Sequence, residues 1–180
     1  MLRKLLPDEY VASIFDIDLK GLKKRGIEGL IIDIDNTLVS WETKTADRRV
    51  LEWFAKLERM GFRACLLSNN TKDRVVKFTE TIRIPAVYRA AKPRKSAFIR
   101  AMAAIGKNPS NVAVIGDQVF TDILGGKRLG LYAVLVIPLS GREFFTTRFV
   151  RRIEKMLLDR MVREGKLVRP AVSHRKNLTG

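Results

Sequence analysis

Along this chain, short uncharged apolar runs alternate with segments whose apolar positions recur every three to four residues. Residues 27–34 read as a first strand, and residues 62–67, 86–88, 112–115 and 132–137 as four more. Between them, residues 47–60 predict a helix. Val50, Leu51, Phe54, Leu57 and Met60 form its stripe and Gly61 its stop. Residues 72–81 predict a second helix with Thr71 as N-cap, residues 96–105 a third ended by Gly106, and residues 121–129 a fourth stopped by Gly130. Strands alternating with helices at this spacing specify a parallel sheet covered on both faces. That is a doubly wound α/β domain.

After Pro138 the pattern changes. Residues 146–164 predict one long helix, with Phe149, Val150, Ile153, Met156, Leu157 and Met161 on one side. Arg148, Arg151, Arg152, Lys155, Arg160 and Arg163 fill the other sides. Such a helix either packs its apolar stripe on the domain, the commoner case, or lies on an anionic membrane. The chain therefore divides into a domain over residues 1–141, a basic amphipathic extension over 142–169 expected to pack on it, and a flexible tail over 170–180. The only histidine, His174, falls in that tail, which leaves no His-based catalysis elsewhere.

A length of 180 residues suits one domain with a real core, and 46% hydrophobic content agrees. Cys65 is the only cysteine, so no intramolecular disulfide forms; within a predicted strand it reads as a small core residue. The apolar part of the N-terminus is too short for a signal peptide and is interrupted by Asp8 and Glu9. The longest apolar run, residues 129–139, contains Gly130 and Pro138 and is too short to span a bilayer. These features predict a cytoplasmic protein. The net charge of +16 adds an anionic partner, either phospholipid at the inner face of the membrane, RNA or a phosphorylated ligand, against mere solubility. Residues 142–180 carry 11 Lys/Arg against 4 Asp/Glu.

The most informative stretch is Gly29-Leu30-Ile31-Ile32-Asp33-Ile34-Asp35-Asn36-Thr37-Leu38. A buried strand ends in two carboxylates two residues apart. Carboxylates are depleted in strands, and two on one side of an extended chain repel unless a cation lies between them. In an open parallel sheet the carboxyl ends of the strands are where ligands bind. The segment reads as a cation-binding catalytic centre, or as a polar turn closing a strand.

Asp33-Ile34-Asp35-Asn36-Thr37 resembles the first motif, Asp-x-Asp-x-Thr, of the haloacid dehalogenase (HAD) superfamily of phosphatases. Three further motifs of that superfamily have matches in order: Ser68 after residues 62–67, Lys92 before Pro93, and Asp117 with Asp122 after residues 112–116. The lead-in from Pro7 to Asp18, the stretch Gly116 to Asp122 and the segment Arg142-Glu143-Phe144-Phe145 look like those of the YqeG-like phosphatases of subclass IIIA. Lys127 stands where that subgroup has Asn.

The resemblance implies a HAD-like, Rossmann-type fold and a hydrolase using Mg²⁺. It makes Asp33 the nucleophile that carries an aspartyl-phosphate, and Asp35 the general acid and base. Ser68 and Lys92 would bind phosphoryl oxygens. Asp33, the backbone carbonyl of Asp35, and Asp117 would hold the metal, with Asp122 acting through water or by orienting its neighbours. Only 33 residues separate Asp35 from Ser68, and 24 separate Ser68 from Lys92. Neither gap holds an inserted cap domain, so the expected site is open and suits a large substrate or a covering subunit in an oligomer.

YqeG-like proteins resemble phosphatidylglycerophosphate phosphatases, which implies a lipid phosphomonoester and a role in phospholipid metabolism. The alternatives are a phosphatase of nucleotides, nucleic-acid ends or phosphoprotein, and a non-enzymatic anion-binding protein. No aromatic-rich basic strand pattern favours nucleic acid.

Overall fold

The computed structural model describes residues 2–80, 82–139 and 145–171. Six strands, β1 (Glu9–Val11), β2 (Gly29–Ile32), β3 (Arg63–Leu67), β4 (Ala86–Val87), β5 (Val112–Gly116) and β6 (Tyr132–Val136), form one sheet of order β1-β6-β5-β2-β3-β4. Every adjacent pair is parallel. The helices are α1 (Leu19–Lys24), α2 (Arg48–Arg59), α3 (Lys72–Thr79), α4 (Lys95–Ile105), α5 (Leu124–Lys127) and α6 (Phe145–Arg163).

Strand periodicity builds two cores. In the central register Leu30 pairs with Ala64 and Ala113, and Ile31 with Cys65 and Val114. Leu30, Ile32, Leu66 and Ile115 point to one face and join Leu22, Trp53, Phe54, Leu57 and Phe78 from α1 to α3. Ile31, Cys65, Leu67 and Val114 point to the other and meet Phe98, Met102 and Ile105 of α4. α5 lies so close to this layer that a Cβ on Gly126 would fall 2.4 Å from Val114 Cγ1. Burial holds the Cys65 thiol neutral, pushing it up to about 12.

The expected strand over residues 27–34 is a shorter ladder, yet Asp33 N–H still donates to Ile115 O at 2.9 Å. The chain is therefore held extended up to the first carboxylate. The expected helix over 121–129 opens as a wide π-helical turn, Val119–Ile123, before α5. Two elements carry no sequence signal of their own. β1 is a three-residue, half-buried edge strand, and the Asp8 carboxylate before it accepts from Ala133 N–H at 2.7 Å and Lys127 Nζ at 2.8 Å. Lys127, the departure from the subgroup pattern, thus ties the lead-in segment to α5. α1 has only six residues and starts on the Asp18 side chain, which accepts from Gly21 N–H at 2.9 Å.

α6 is turned differently from the expected packing. Phe149, Ile153 and Met156 of the apolar stripe are exposed, while Glu154 is buried with Met161 and half-buried Leu157 and Leu158 face the sheet. Polar contacts at the site, described below, hold the same side of the helix inward. Residues 142–144 and the tail 172–180 with His174 lie outside the described residues. Among the described residues no helix is long and apolar enough to cross a membrane.

Candidate active site

The strand order reverses at β2, so the carboxyl ends of β2, β3 and β5 frame a crevice. Asp33 leaves β2 into it. Three residues on, Asn36 takes a left-handed φ of 65°, a conformation Asn tolerates better than most side chains. The chain then folds back, with Asn36 N–H on Val39 O at 2.7 Å and Leu38 N–H on Ile34 O at 3.0 Å. This places Thr37 Oγ1 to donate to the Asp33 carboxylate at 3.1 Å, within 3.5 Å of Asp117.

Lys92 arrives on the loop between β4 and α4, its N–H held by Asn69 Oδ1 at 2.7 Å. Its ammonium donates to Asp33 at 2.5 Å and Asp122 at 2.7 Å. Asp122 doubles back over the end of β5, where a Cβ on Gly116 would stand 2.3 Å from Asp122 Cγ. Only glycine leaves room for that carboxylate. Its second oxygen accepts from Gln118 N–H at 3.2 Å and Thr121 Oγ1 at 3.3 Å.

Oxygens of Asp33, Asp117 and Asp122, all buried, lie within 4.8 Å of one another. Burial drives the Asp33 carboxyl up to about 7; Lys92 opposes the shift, and Asp122 and Asp35 add to it. Burial also raises Asp117, with Asp33 adding to the effect and Arg151 opposing it. For Lys92 burial works downward, but Asp122 and Asp33 outweigh it and the amine is held well above its ordinary value. With all three carboxylates ionised, the Lys92 ammonium between Asp33 and Asp122 and the Arg151 guanidinium on Asp117 still leave one negative charge uncompensated at the centre. An all-oxygen donor set of this kind fits a hard divalent cation.

Asp35 faces away from this triad. Its carboxylate accepts from Arg74 Nη2 at 2.9 Å and Nε at 3.3 Å, from Ser68 Oγ at 3.4 Å and from Asn70 Nδ2 at 3.5 Å. Ser68 Oγ in turn accepts from Asn70 N–H at 3.0 Å. The six residues singled out in the sequence therefore form two adjoining groups: Asp33, Lys92, Asp117 and Asp122 in one, Asp35 and Ser68 in the other.

Two arginines that the sequence reading did not place in the site belong to it, Arg151 having been read only as part of the basic side of the C-terminal helix. Arg74 on α3 clamps Asp35, while its Nη1 is buried without a hydrogen-bond partner. Arg151 on α6 ion-pairs the Asp117 carboxylate and donates to its backbone carbonyl at 2.6 Å. Beside it, Glu154 accepts from Arg151 at 3.1 Å and from Phe120 N–H at 2.9 Å. The loop after β5 thus carries α6 on a keyed polar contact. A cavity of about 320 Å³ lies between α6 and the ends of β1 and β6, with Tyr10, Asp117, Leu135, Ile137, Arg151 and Leu158 in its wall.

The HAD-hydrolase-like family model matches residues 89–142. The probable phosphatase YqeG of Bacillus subtilis is 42% identical over 166 residues, covering 92% of this chain and 96% of that protein. The phosphatidylglycerophosphate phosphatase 1 of Arabidopsis thaliana chloroplasts and mitochondria is 32% identical across 89% of this chain, which spans 49% of the plant protein. The cobalt-bound deoxy-D-mannose-octulosonate 8-phosphate phosphatase of Haemophilus influenzae shares the fold, with a TM-score of 0.52 at 16% identity over 76% of this chain and 90% of its own.

Proposed function

This chain belongs to the YqeG-like phosphatases of the HAD superfamily, and on that premise we propose that it hydrolyses a phosphomonoester carried by an anionic lipid, of the phosphatidylglycerophosphate type. The observation that carries the chemistry is the buried Asp33–Lys92–Asp122 network at the strand ends, with Asp117 beside it. The lipid substrate rests on the plant relative and on a basic chain whose described elements include no cap insertion between Asp35 and Ser68 or between Ser68 and Lys92. Residues 1–141 then carry the chemistry and residues 142–169 act as a basic extension. The protein works from the cytoplasm against the inner leaflet.

In this reading an Asp33 oxygen attacks phosphorus while the bond from phosphorus to the leaving oxygen breaks. Asp35 gives its proton to the leaving alkoxide. It then takes a proton from water, whose oxygen attacks the aspartyl-phosphate and releases Asp33 and inorganic phosphate. Lys92 and Ser68 hold the phosphoryl oxygens through the transfer, and Lys92 also screens Asp33 from the incoming anion. Mg²⁺, held by Asp33, the Asp35 carbonyl, Asp117 and Asp122, would supply Lewis-acid neutralisation of the phosphoryl charge.

With purified protein and Mg²⁺, phosphatidylglycerophosphate in mixed micelles should be turned over with kcat/KM at least about a hundredfold above p-nitrophenyl phosphate. Binding energy from the remote parts of a true substrate is what raises that ratio. A nucleotide or phosphopeptide that outpaces the lipid by the same margin would replace it as substrate.

Arg74 follows as a positioning residue for Asp35. Arg74→Gln should lower kcat about 10- to 100-fold with KM nearly unchanged, because an acid/base group held out of line loses most of its advantage. Arg74→Lys, which keeps the charge but loses the two-pronged grip on the Asp35 carboxylate, should recover part of the rate. Full kcat in Arg74→Gln would remove Arg74 from the site.

A further inference from the structure

We propose that the outward face of α6 is a docking surface for an anionic lipid bilayer, which holds the domain and its crevice of Asp33 and Asp117 at the leaflet; the inference rests on the lipid-phosphatase reading.

The helix has two distinct faces. On a 3.6-residue turn Arg151, Glu154, Leu158 and Met161 share one side, and Phe149, Arg152, Ile153, Met156, Arg160 and Arg163 share the opposite one. The first set is engaged: Arg151 and Glu154 hold Asp117 and Phe120, Met161 is buried, and Leu158 packs on the sheet. The second set is exposed throughout. Phe149 and Met156 are 68% and 67% accessible, and Ile153 41%. An i, i+4, i+7 apolar ridge left in the open on a polar-keyed helix is not a packing stripe.

The cations beside the ridge name its occupant. Arg152 and Arg163 flank Met156 and Ile153 on the same face, in a chain of net charge +16. The complementary surface must be apolar and anionic at once. A second copy docked through the same face would set Arg152 and Arg163 against their own kind. A nucleic-acid backbone would meet the cations but leave Phe149 and Met156 in water. The headgroup boundary of an anionic leaflet takes both, the ridge into the acyl margin and the guanidinium groups among the phosphates.

The attachment matters for the chemistry. Because Arg151 bonds both the carboxylate and the carbonyl of Asp117, whatever orients α6 also orients the loop after β5. Docking by this face would therefore hold the crevice in a set relation to the membrane without any transmembrane segment.

The experiment is co-sedimentation of the full chain with vesicles of phosphatidylglycerol and, separately, of phosphatidylcholine, at low and high salt. Three proteins are compared: wild type, the double substitution Arg152→Glu with Arg163→Glu, and the double substitution Phe149→Ser with Met156→Ser. Wild type should bind the anionic vesicles at low salt, and binding should fall steeply with salt. The charge reversal should weaken it about a hundredfold or more and the Ser pair about tenfold or more, by the usual contributions of basic and apolar groups at a leaflet. Both variants should keep the wild-type rate on p-nitrophenyl phosphate, which also shows that they fold. No wild-type binding, or binding untouched by either variant, overturns the proposal. So does a dimer that the Ser pair dissolves, or binding to an RNA oligonucleotide that the charge reversal alone abolishes. The substrate reading fails separately: a protein that binds vesicles but leaves phosphatidylglycerophosphate intact in mixed micelles keeps the surface and loses the substrate. One that hydrolyses the micellar lipid without binding vesicles does the reverse.

Discussion

Asp33→Asn is expected to lower turnover by at least about 10⁴-fold, the scale on which loss of a nucleophile acts, with the fold retained. The amide has the same shape, can still accept from Lys92, and lies at the end of a fully buried strand whose ladder it does not alter. The same variant has a stability signature that a merely structural aspartate would not give. In the metal-free protein burial raises the Asp33 carboxyl from an ordinary value of 3.8 to about 7. Between those two pH values the native state holds more protons than the unfolded chain, so rising pH favours unfolding. Stability from this group is present below about pH 4 and is lost as pH passes about 7.

With a chelator present, the wild type should therefore melt at falling temperature across that window. The Asp33→Asn protein should lose much of the dependence and melt higher than the wild type at pH 8. Saturating Mg²⁺, at a hundred times its Kd, should return about 2.7 kcal/mol to the wild type, or about 5–10 °C in Tm. The variant should gain far less. Wild-type turnover by Asp33→Asn would show that the nucleophile lies elsewhere.

Lys92→Met should have the largest effect on stability. Lys92 Nζ lies between two buried carboxylates, 2.5 Å from Asp33 and 2.7 Å from Asp122. Met fills much of the same volume but leaves both charges without their cation. Removing one partner of a buried ionic network costs about 3–5 kcal/mol, which is about 6–20 °C in Tm for a chain of this size. Turnover should fall at least about 10³-fold, because the phosphoryl oxygens lose a fixed positive donor. The sign with pH is again defined. Without the ammonium the Asp33 carboxyl protonates more readily, so the stability loss should be greatest above pH 7 and shrink towards pH 4. Thermal melts from pH 4 to 8 with a chelator, alongside p-nitrophenyl phosphate assays, read both effects. A variant that melts like the wild type at pH 8 and keeps its rate would take Lys92 out of the network.

Much of the architecture was legible in local pattern. Buried parallel strands are continuous apolar runs, and residues 27–34, 62–67, 112–115 and 132–137 read as strands without tertiary information, within a few residues of the observed ends. Asp33 and Asp117 were legible as ligand-facing because carboxylates directly after such runs have nowhere else to go. Lys92 was not legible in that sense. A lysine before a proline is unremarkable until the order of motifs marks it, and only the folded chain sets its ammonium between residues 59 positions before and 30 positions after. β1 and α1 escaped because three and six residues carry no measurable period, and both are fixed by distant or capping side chains.

Tertiary structure alone placed Arg74 on Asp35 and Arg151 on Asp117, across 39 and 34 residues. It also set the rotation of α6, against the expectation that Phe149, Ile153 and Met156 would be covered. Apolar periodicity records that a helix has two unlike sides. Which side turns inward is decided by the partners that the rest of the chain presents, and here Asp117 and the Phe120 N–H take Arg151 and Glu154 while Leu157, Leu158 and Met161 pack beside them. The sequence by itself determined the strands, their order of motifs and the acidic strand ends, because those are local properties of a buried extended chain. The pairing of charges across the crevice belongs to the tertiary structure, because it depends on distances that no local pattern encodes.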